Sequence, residues 1–179
     1  MVNIVAFGAS YSKNSINKQL ANYVANKFEN THIEILDLND YPVPLFTVDQ
    51  QLETGIPEGA QRFLNKITEA DLLIISMSEH NGSYTAAFKS LFDWVSLIKM
   101  KCFDGKKIFL LSTSPGPRGA LNSLTAAKER FPFHGGTIIS DFSLPSFLKN
   151  FDSEKGIIPT EYSDTLNEKI DIVKKELDL

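Results

Sequence analysis

Residues 3–17 read NIVAFGASYSKNSIN, and the passage from its apolar half to its polar half sets the fold. Asn3 to Phe7 is short, apolar and rich in β-branched and aromatic side chains, the composition of a buried strand. Gly8 to Asn17 is a turn of serines and asparagines. Beyond it, Leu20, Ala21, Val24, Ala25 and Phe28 recur at helical spacing over Lys18 to Phe28. The chain therefore leaves a strand, crosses a polar loop and enters a helix.

A helix start carries unpaired N–H groups and the positive end of the helix dipole, so a hydroxyl-lined loop placed there suits a phosphate. Ser10, Ser12 and Ser15 can supply donors, and Asn17 can add its amide. Taken alone, Ser15 reads equally well as an ordinary N-cap.

The same alternation runs on through the chain. His32 to Leu38 alternates polar and apolar residues as a strand, and Asp37 reads as an ordinary strand-end residue because no GxGxxG accompanies it. Asn39 to Pro57, with three prolines and a glycine, predicts a long ordered loop. A helix is expected over Glu58 to Thr68 and a central strand over Asp71 to Met77. Ser78 to Tyr84 reads as a loop in which Asn81 and Gly82 allow unusual backbone conformations. Helix follows over Thr85 to Leu97, with Phe88, Leu91, Trp94 and Val95 on its apolar face and Lys89 and Asp93 as a surface pair. Lys107 to Ser112 is a fourth strand, ending in the polar loop Thr113 to Gly119. A helix from Ala120 to Arg130, a strand from Gly136 to Phe142 and a last helix from Glu161 to Leu177 complete the pattern.

Five strands alternating with five helices imply an α/β fold, a parallel sheet with helices on both faces. The loops after strands one, three and four all leave the carboxyl edge of such a sheet, where ligands bind in these folds. At 179 residues the chain fits one domain, and 18 basic against 22 acidic residues, net −4, leave no basic surplus for nucleic acid. The single cysteine, Cys102, fits a reducing, cytoplasmic setting. No apolar run approaches a membrane span, and Met1 is expected at or near the mature N-terminus. Without GxxxxGK[ST] the chain does not read as a nucleotide triphosphatase, and Gly8 and Ala9 stand where a phospho-receiver needs acids.

The chain resembles the NADPH-dependent FMN reductase family, the flavodoxin-like group that includes chromate reductases and small azoreductases. Its first loop is similar to the family's G-S-x-R-x-x-S-x-N. Ser78 to Trp94, SEHNGSYTAAFKSLFDW, is similar to P-E-Y-N-x-S-x-P-G-x-L-K-N-x-I-D-W, and Thr113 to Gly119 to its S-P-G loop. The resemblance implies a three-layer flavodoxin-like sandwich around a five-stranded parallel sheet of order 2-1-3-4-5, built as one FMN-binding domain over residues 1–179. It implies that Ser10, Ser12, Ser15 and Asn17, with Ile16 N–H, hold the phosphate of FMN. It further implies that Glu79, His80, Asn81, Gly82 and Ser83 line one edge of the isoalloxazine and that Ser114, Pro115 and Gly116 close the other. Arg118 can meet a pyridine nucleotide phosphate or a surface carboxylate.

The implied reaction takes hydride from NADPH or NADH to the flavin and electrons onward to a quinone, azo, metal-oxyanion or flavin acceptor. It needs no side-chain acid or base and no metal, and it implies a homodimer or homotetramer. Apolar residues in Tyr41 to Phe46 and Phe142 to Phe151 are candidates for that contact. This chain departs from the family pattern at Ser12, where arginine is usual and Lys13 can stand in, and at Ser78, His80 and Thr85-Ala86. The alternatives are a flavodoxin-type electron carrier and a non-catalytic module that has lost its flavin site.

Overall fold

A computed structural model describes all 179 residues. Its elements in chain order begin with β1 (Asn3–Gly8), α1 (Ile16–Ala25), β2 (His32–Leu36), α2 (Val48–Thr54), α3 (Glu58–Thr68) and β3 (Leu72–Met77). A small hairpin of β4 (Glu79–His80) and β5 (Ser83–Tyr84) precedes α4 (Ala86–Ile98), β6 (Lys107–Thr113), α5 (Leu121–Arg130) and β7 (Thr137–Leu144). The chain closes with α6 (Phe147–Asn150), a second hairpin of β8 (Phe151–Asp152) and β9 (Gly156–Ile157), and α7 (Thr160–Glu176).

The sheet is five-stranded and parallel, ordered β2-β1-β3-β6-β7. This is the expected order of a flavodoxin-like sandwich. Alternation along each strand divides the core into two layers. Val5, Phe7, Leu73, Ile75, Ile108 and Leu110 join Phe63, Phe88, Trp94 and Phe131 on one face. Ile4, Ala6, Leu72, Ile74, Phe109 and Leu111 join Leu20, Val24, Leu166 and Val173 on the other. Each of these large side chains stabilises the fold by about 1.5–3 kcal/mol when fully buried, which explains why β1, β3 and β6 are apolar on both faces. No helix is long and apolar enough to cross a membrane.

Several stretches differ from the sequence reading, among them residues 147–157, where α6 and the β8–β9 hairpin replace a plain connection. The long loop contains α2, a seven-residue helix with no buried side chain, so burial periodicity gave no sign of it. The loop after β3 is a hairpin turning on Asn81 (φ 52°) and Gly82 (φ 77°), a two-residue turn with both central residues left-handed. Asp37 does more than end a strand. It receives Lys18 Nζ at 2.5 Å, and that ion-paired hydrogen bond lowers its carboxyl to about 2.

The segment from Tyr41 to Phe46 is fastened to α4 and to the first loop. Pro44 carbonyl accepts Trp94 Nε1 (2.8 Å) and Ser90 Oγ (3.0 Å), and Tyr41 carbonyl accepts Tyr11 Oη (2.9 Å). Burial pushes the Tyr11 phenol up to about 12, so it remains a donor at neutral pH. Tyr41, Phe142, Leu144 and Phe147 are core residues and are not available for contact with another chain. Leu45, at 70 % exposure, and Leu148, at 77 %, are the large hydrophobic residues of those two segments that stand exposed.

Candidate functional site

The loop after β1 is shaped by how closely α1 approaches the strand. A Cβ on Gly8 would stand 2.4 Å from Lys18 N and 2.7 Å from Asn17 C, so only glycine lets the first turn of α1 lie against the end of β1. That contact directs the start of the helix to the carboxyl edge of the sheet. Ser15 caps α1, its hydroxyl accepting Lys18 N–H at 3.1 Å. Ser10 Oγ accepts Ser12 N–H, also at 3.1 Å. Both serines are buried, and each hydroxyl keeps its own hydrogen for an external acceptor. Ile16 and Asn17 occupy the first turn, where a helix offers N–H groups with no intrahelical acceptor. Neither amide donates elsewhere in the chain. Buried hydroxyls with spare hydrogens beside unspent helix-start amides are the donor set a phosphate monoester requires. The chain's residues therefore fit the phosphate end of FMN.

Asn17 requires a correction. Its side chain is 3 % exposed and fully committed inside the protein. Nδ2 donates to Ser78 Oγ (2.8 Å) and to Thr113 carbonyl (3.1 Å). Oδ1 accepts Ser76 Oγ (2.7 Å) and Thr113 N–H (3.1 Å). An amide has two donor hydrogens and two acceptor sites, so nothing remains for a ligand. Asn17 ties the start of α1 to the ends of β3 and β6, and only its backbone N–H can face an anion. Ser76 and Thr113 were not expected among the site residues, and Ser78 stood out only as a departure from the family pattern. The signal was present in Ser76, a polar residue inside the otherwise apolar run DLLIISM.

The second loop is joined to the first in the same way. Thr85 caps α4, and its hydroxyl donates to Ala9 carbonyl at 3.1 Å. The hairpin brings Glu79, His80, Asn81, Gly82 and Ser83 to the carboxyl edge, with His80, Asn81, Gly82 and Ser83 exposed. The Glu79 carboxylate is tied to the start of α5. It accepts Ser123 N–H at 3.1 Å in the first turn of α5, where a negative charge favours the helix dipole.

The third loop is folded onto the segment after β7. Gly116 carbonyl accepts Ser146 N–H at 2.9 Å, and Ser114 carbonyl accepts Phe147 N–H at 3.0 Å. Gly119, at φ 57°, has its carbonyl caught by Ser112 Oγ (2.6 Å) and Ser143 Oγ (2.9 Å). Ser114 Oγ is directed to Gly116 carbonyl at 3.2 Å. Arg118 forms no ion pair and instead donates to Asn122 Oδ1 at 2.9 Å. Ser12 and Lys13 stand exposed at the tip of the first loop, and Lys13 is likewise without a carboxylate partner.

The arrangement offers an anion-binding end at α1 and two flanking loops of exposed backbone. A family profile described as NADPH-dependent FMN reductase matches residues 2–149. A quinone reductase of Escherichia coli is 30 % identical over 77 residues, 43 % of this chain and 41 % of its own length. An NAD(P)H-dependent FMN reductase of Pseudomonas aeruginosa is 32 % identical over 87 residues, 49 % of this chain and 45 % of its own. The matched stretch thus spans less than half of either relative. A solved flavoenzyme NAD(P)H:(acceptor) oxidoreductase from Paracoccus denitrificans shares the fold with a TM-score of 0.74. Its identity is 20 %, and 98 % of each chain is covered.

Proposed function

The chain belongs to the NADPH-dependent FMN reductase family, and on that premise we propose that it is an FMN-dependent NAD(P)H oxidoreductase serving a small-molecule electron acceptor. Ser10 and Ser15 hydroxyls and the Ile16 and Asn17 amides would hold the FMN phosphate. Lys13 supplies the positive charge that arginine gives at position 12 in the family pattern. Backbone groups from Glu79 to Ser83 would meet one edge of the flavin ring, and Ser114 to Gly116 the other. When bound, FMN supplies a hydride acceptor and a route for electrons to a quinone, azo, metal-oxyanion or flavin substrate. The chain's own work is to bind, orient and fix that group, and no side-chain acid or base is required of it. Exposed His80 and Arg118 stand where a nicotinamide nucleotide or an acceptor would approach.

The observation that carries this reading is the pair of buried serine hydroxyls, each accepting one N–H and keeping its own hydrogen, beside the free first-turn amides of α1. Anaerobic stopped-flow of the FMN-loaded protein tests it. Rapid bleaching by NADPH or NADH, followed by reoxidation with a quinone, is expected. Bound flavin that neither nucleotide reduces would leave an electron carrier, and failure to take up flavin would leave neither.

The family resemblance also supports a homodimer. Leu45, Val48, Leu52 and Ile56, on and around α2, are 70, 62, 78 and 41 % exposed, apolar side chains that a second copy would cover. We place the contact there, in a chain acting as one domain in the reducing cytoplasm. The lone Cys102, which can form no disulfide within the chain, suits that setting. Sedimentation of the parent and of Leu52→Asp tests the dimer, with monomer expected for the variant.

A further inference from the structure

The hairpin of β4 and β5 is anchored at both of its ends. Ser78 Oγ accepts Asn17 Nδ2 at 2.8 Å on the side of β3, and Thr85 Oγ1 donates to Ala9 carbonyl at 3.1 Å on the side of α4. Between those anchors a single hydrogen bond joins the hairpin to the rest of the chain, donated by Ser123 N–H to Glu79 Oε2 at 3.1 Å. β5 is held instead by packing, with the Tyr84 ring against Phe88 and Phe131.

The same bond completes α5. A helix is usually capped by a serine, threonine, aspartate or asparagine whose side chain accepts from one of the first amides. The cap position of α5 is Ala120, left-handed at φ 62° and without a side-chain acceptor. Ser123 is the third residue of the helix and is fully buried, so water cannot serve its N–H. Glu79 therefore supplies the missing cap from 44 residues away, and its charge suits the positive end of the helix dipole. The turn of the hairpin lies against the same helix start, because a Cβ on Gly82 would stand 3.2 Å from Asn122 Nδ2. The third loop runs straight into that start through Gly119, whose carbonyl is held by Ser112 Oγ and Ser143 Oγ.

We infer that Glu79 is a positioning residue: by capping α5 across the site it fixes the hairpin and the third loop, the two edges proposed to flank the flavin ring, at one separation. Its bearing on the flavin rests on the flavin reading, whereas the tie does not. A ring that enters between walls already fixed has no wall to order. Without the tie, ordering of the hairpin moves from folding to binding and weakens binding. Ordering the backbone of even one residue is worth about tenfold in an equilibrium. The start of α1 is untouched by the change, so the loss falls equally on flavins with and without a phosphate.

The test compares Glu79→Ala, which removes the acceptor, with Glu79→Gln, which keeps an acceptor at the same reach and loses the charge. In the flavin-free chains, amide hydrogen exchange at Ser123 and at the cross-strand amides of the hairpin should quicken at least about tenfold in Glu79→Ala and stay near the parent in Glu79→Gln. The thermal midpoint of Glu79→Ala should fall by about 4–8 °C. In titrations with FMN and riboflavin, Glu79→Ala should bind both about tenfold more weakly with their ratio unchanged, and Glu79→Gln should bind both within about threefold of the parent. If Glu79→Ala melts lower yet binds both flavins as the parent does, Glu79 is only a cap and the inference is overturned. It is overturned also if Glu79→Gln is as weak as Glu79→Ala, which would make the carboxylate charge act on the ligand itself, or if exchange at Ser123 and the hairpin is unchanged. A parent that takes up neither flavin defeats the flavin reading instead, and exchange in the flavin-free chains still decides the tie.

Discussion

Replacing Asn17 by alanine separates a brace from a ligand. The substitution strands Ser76 Oγ, Ser78 Oγ and both backbone groups of Thr113, in residues that are 0, 6 and 1 % exposed. The serine hydroxyls can rotate toward other partners, but the Thr113 N–H and C=O cannot. Two buried backbone groups left unpaired cost about 1–3 kcal/mol each, so the expected loss is about 4 kcal/mol. For a chain of this size that lowers the thermal midpoint by about 8–16 °C. Ser15→Ala is the control, because loss of an N-cap costs about 1 kcal/mol. Both variants should bind FMN more weakly, so affinity alone does not discriminate. The deciding assay is thermal or urea unfolding of the flavin-free proteins. If flavin-free Asn17→Ala melts within about 2 °C of the parent while FMN affinity falls, the Asn17 amide faces the ligand and the brace is refuted.

Gly8→Ala should push α1 off β1, because its Cβ would meet backbone at 2.4 Å. A loss of about 1–3 kcal/mol in urea unfolding and of most FMN affinity is expected. Gly82→Ala, at φ 77°, should cost about 1–2 kcal/mol and alter flavin fluorescence or midpoint potential while the preference for FMN over riboflavin persists. Asp37 titrates at a lowered value of about 2 because Lys18 stabilises its carboxylate. Its contribution to stability is complete above the ordinary carboxylate value of about 4 and is lost as pH falls through about 2. Urea midpoints of parent and Asp37→Asn should therefore differ at neutral pH and converge in acid.

The sheet was readable because β1, β3 and β6 are covered on both faces and appear as largely apolar runs. The helix over Glu58 to Thr68 was readable to the residue, since Phe63, Leu64 and Ile67 bury one face behind a proline. The α2 helix was not, because none of its residues is buried and prolines and a glycine surround it. The hairpin escaped notice because its strands are two residues long, although Asn81-Gly82 is a known turn pair. The loops of the candidate site were located by their order after strands one, three and four. The role of Asn17 was hidden because its partners lie 59 to 96 residues away, and only folding brings them to one amide. The Glu79 contact with α5 was hidden for the same reason.

The central claim is that the start of α1 holds a phosphate monoester. Titrating the flavin-free protein with FMN and with riboflavin, which share the ring and differ in the phosphate, tests it directly. Two or more charge-assisted hydrogen bonds at about 1.5–3 kcal/mol each imply that FMN binds at least about 100-fold more tightly than riboflavin. Equal affinities for the two flavins, or uptake of neither, would contradict the account.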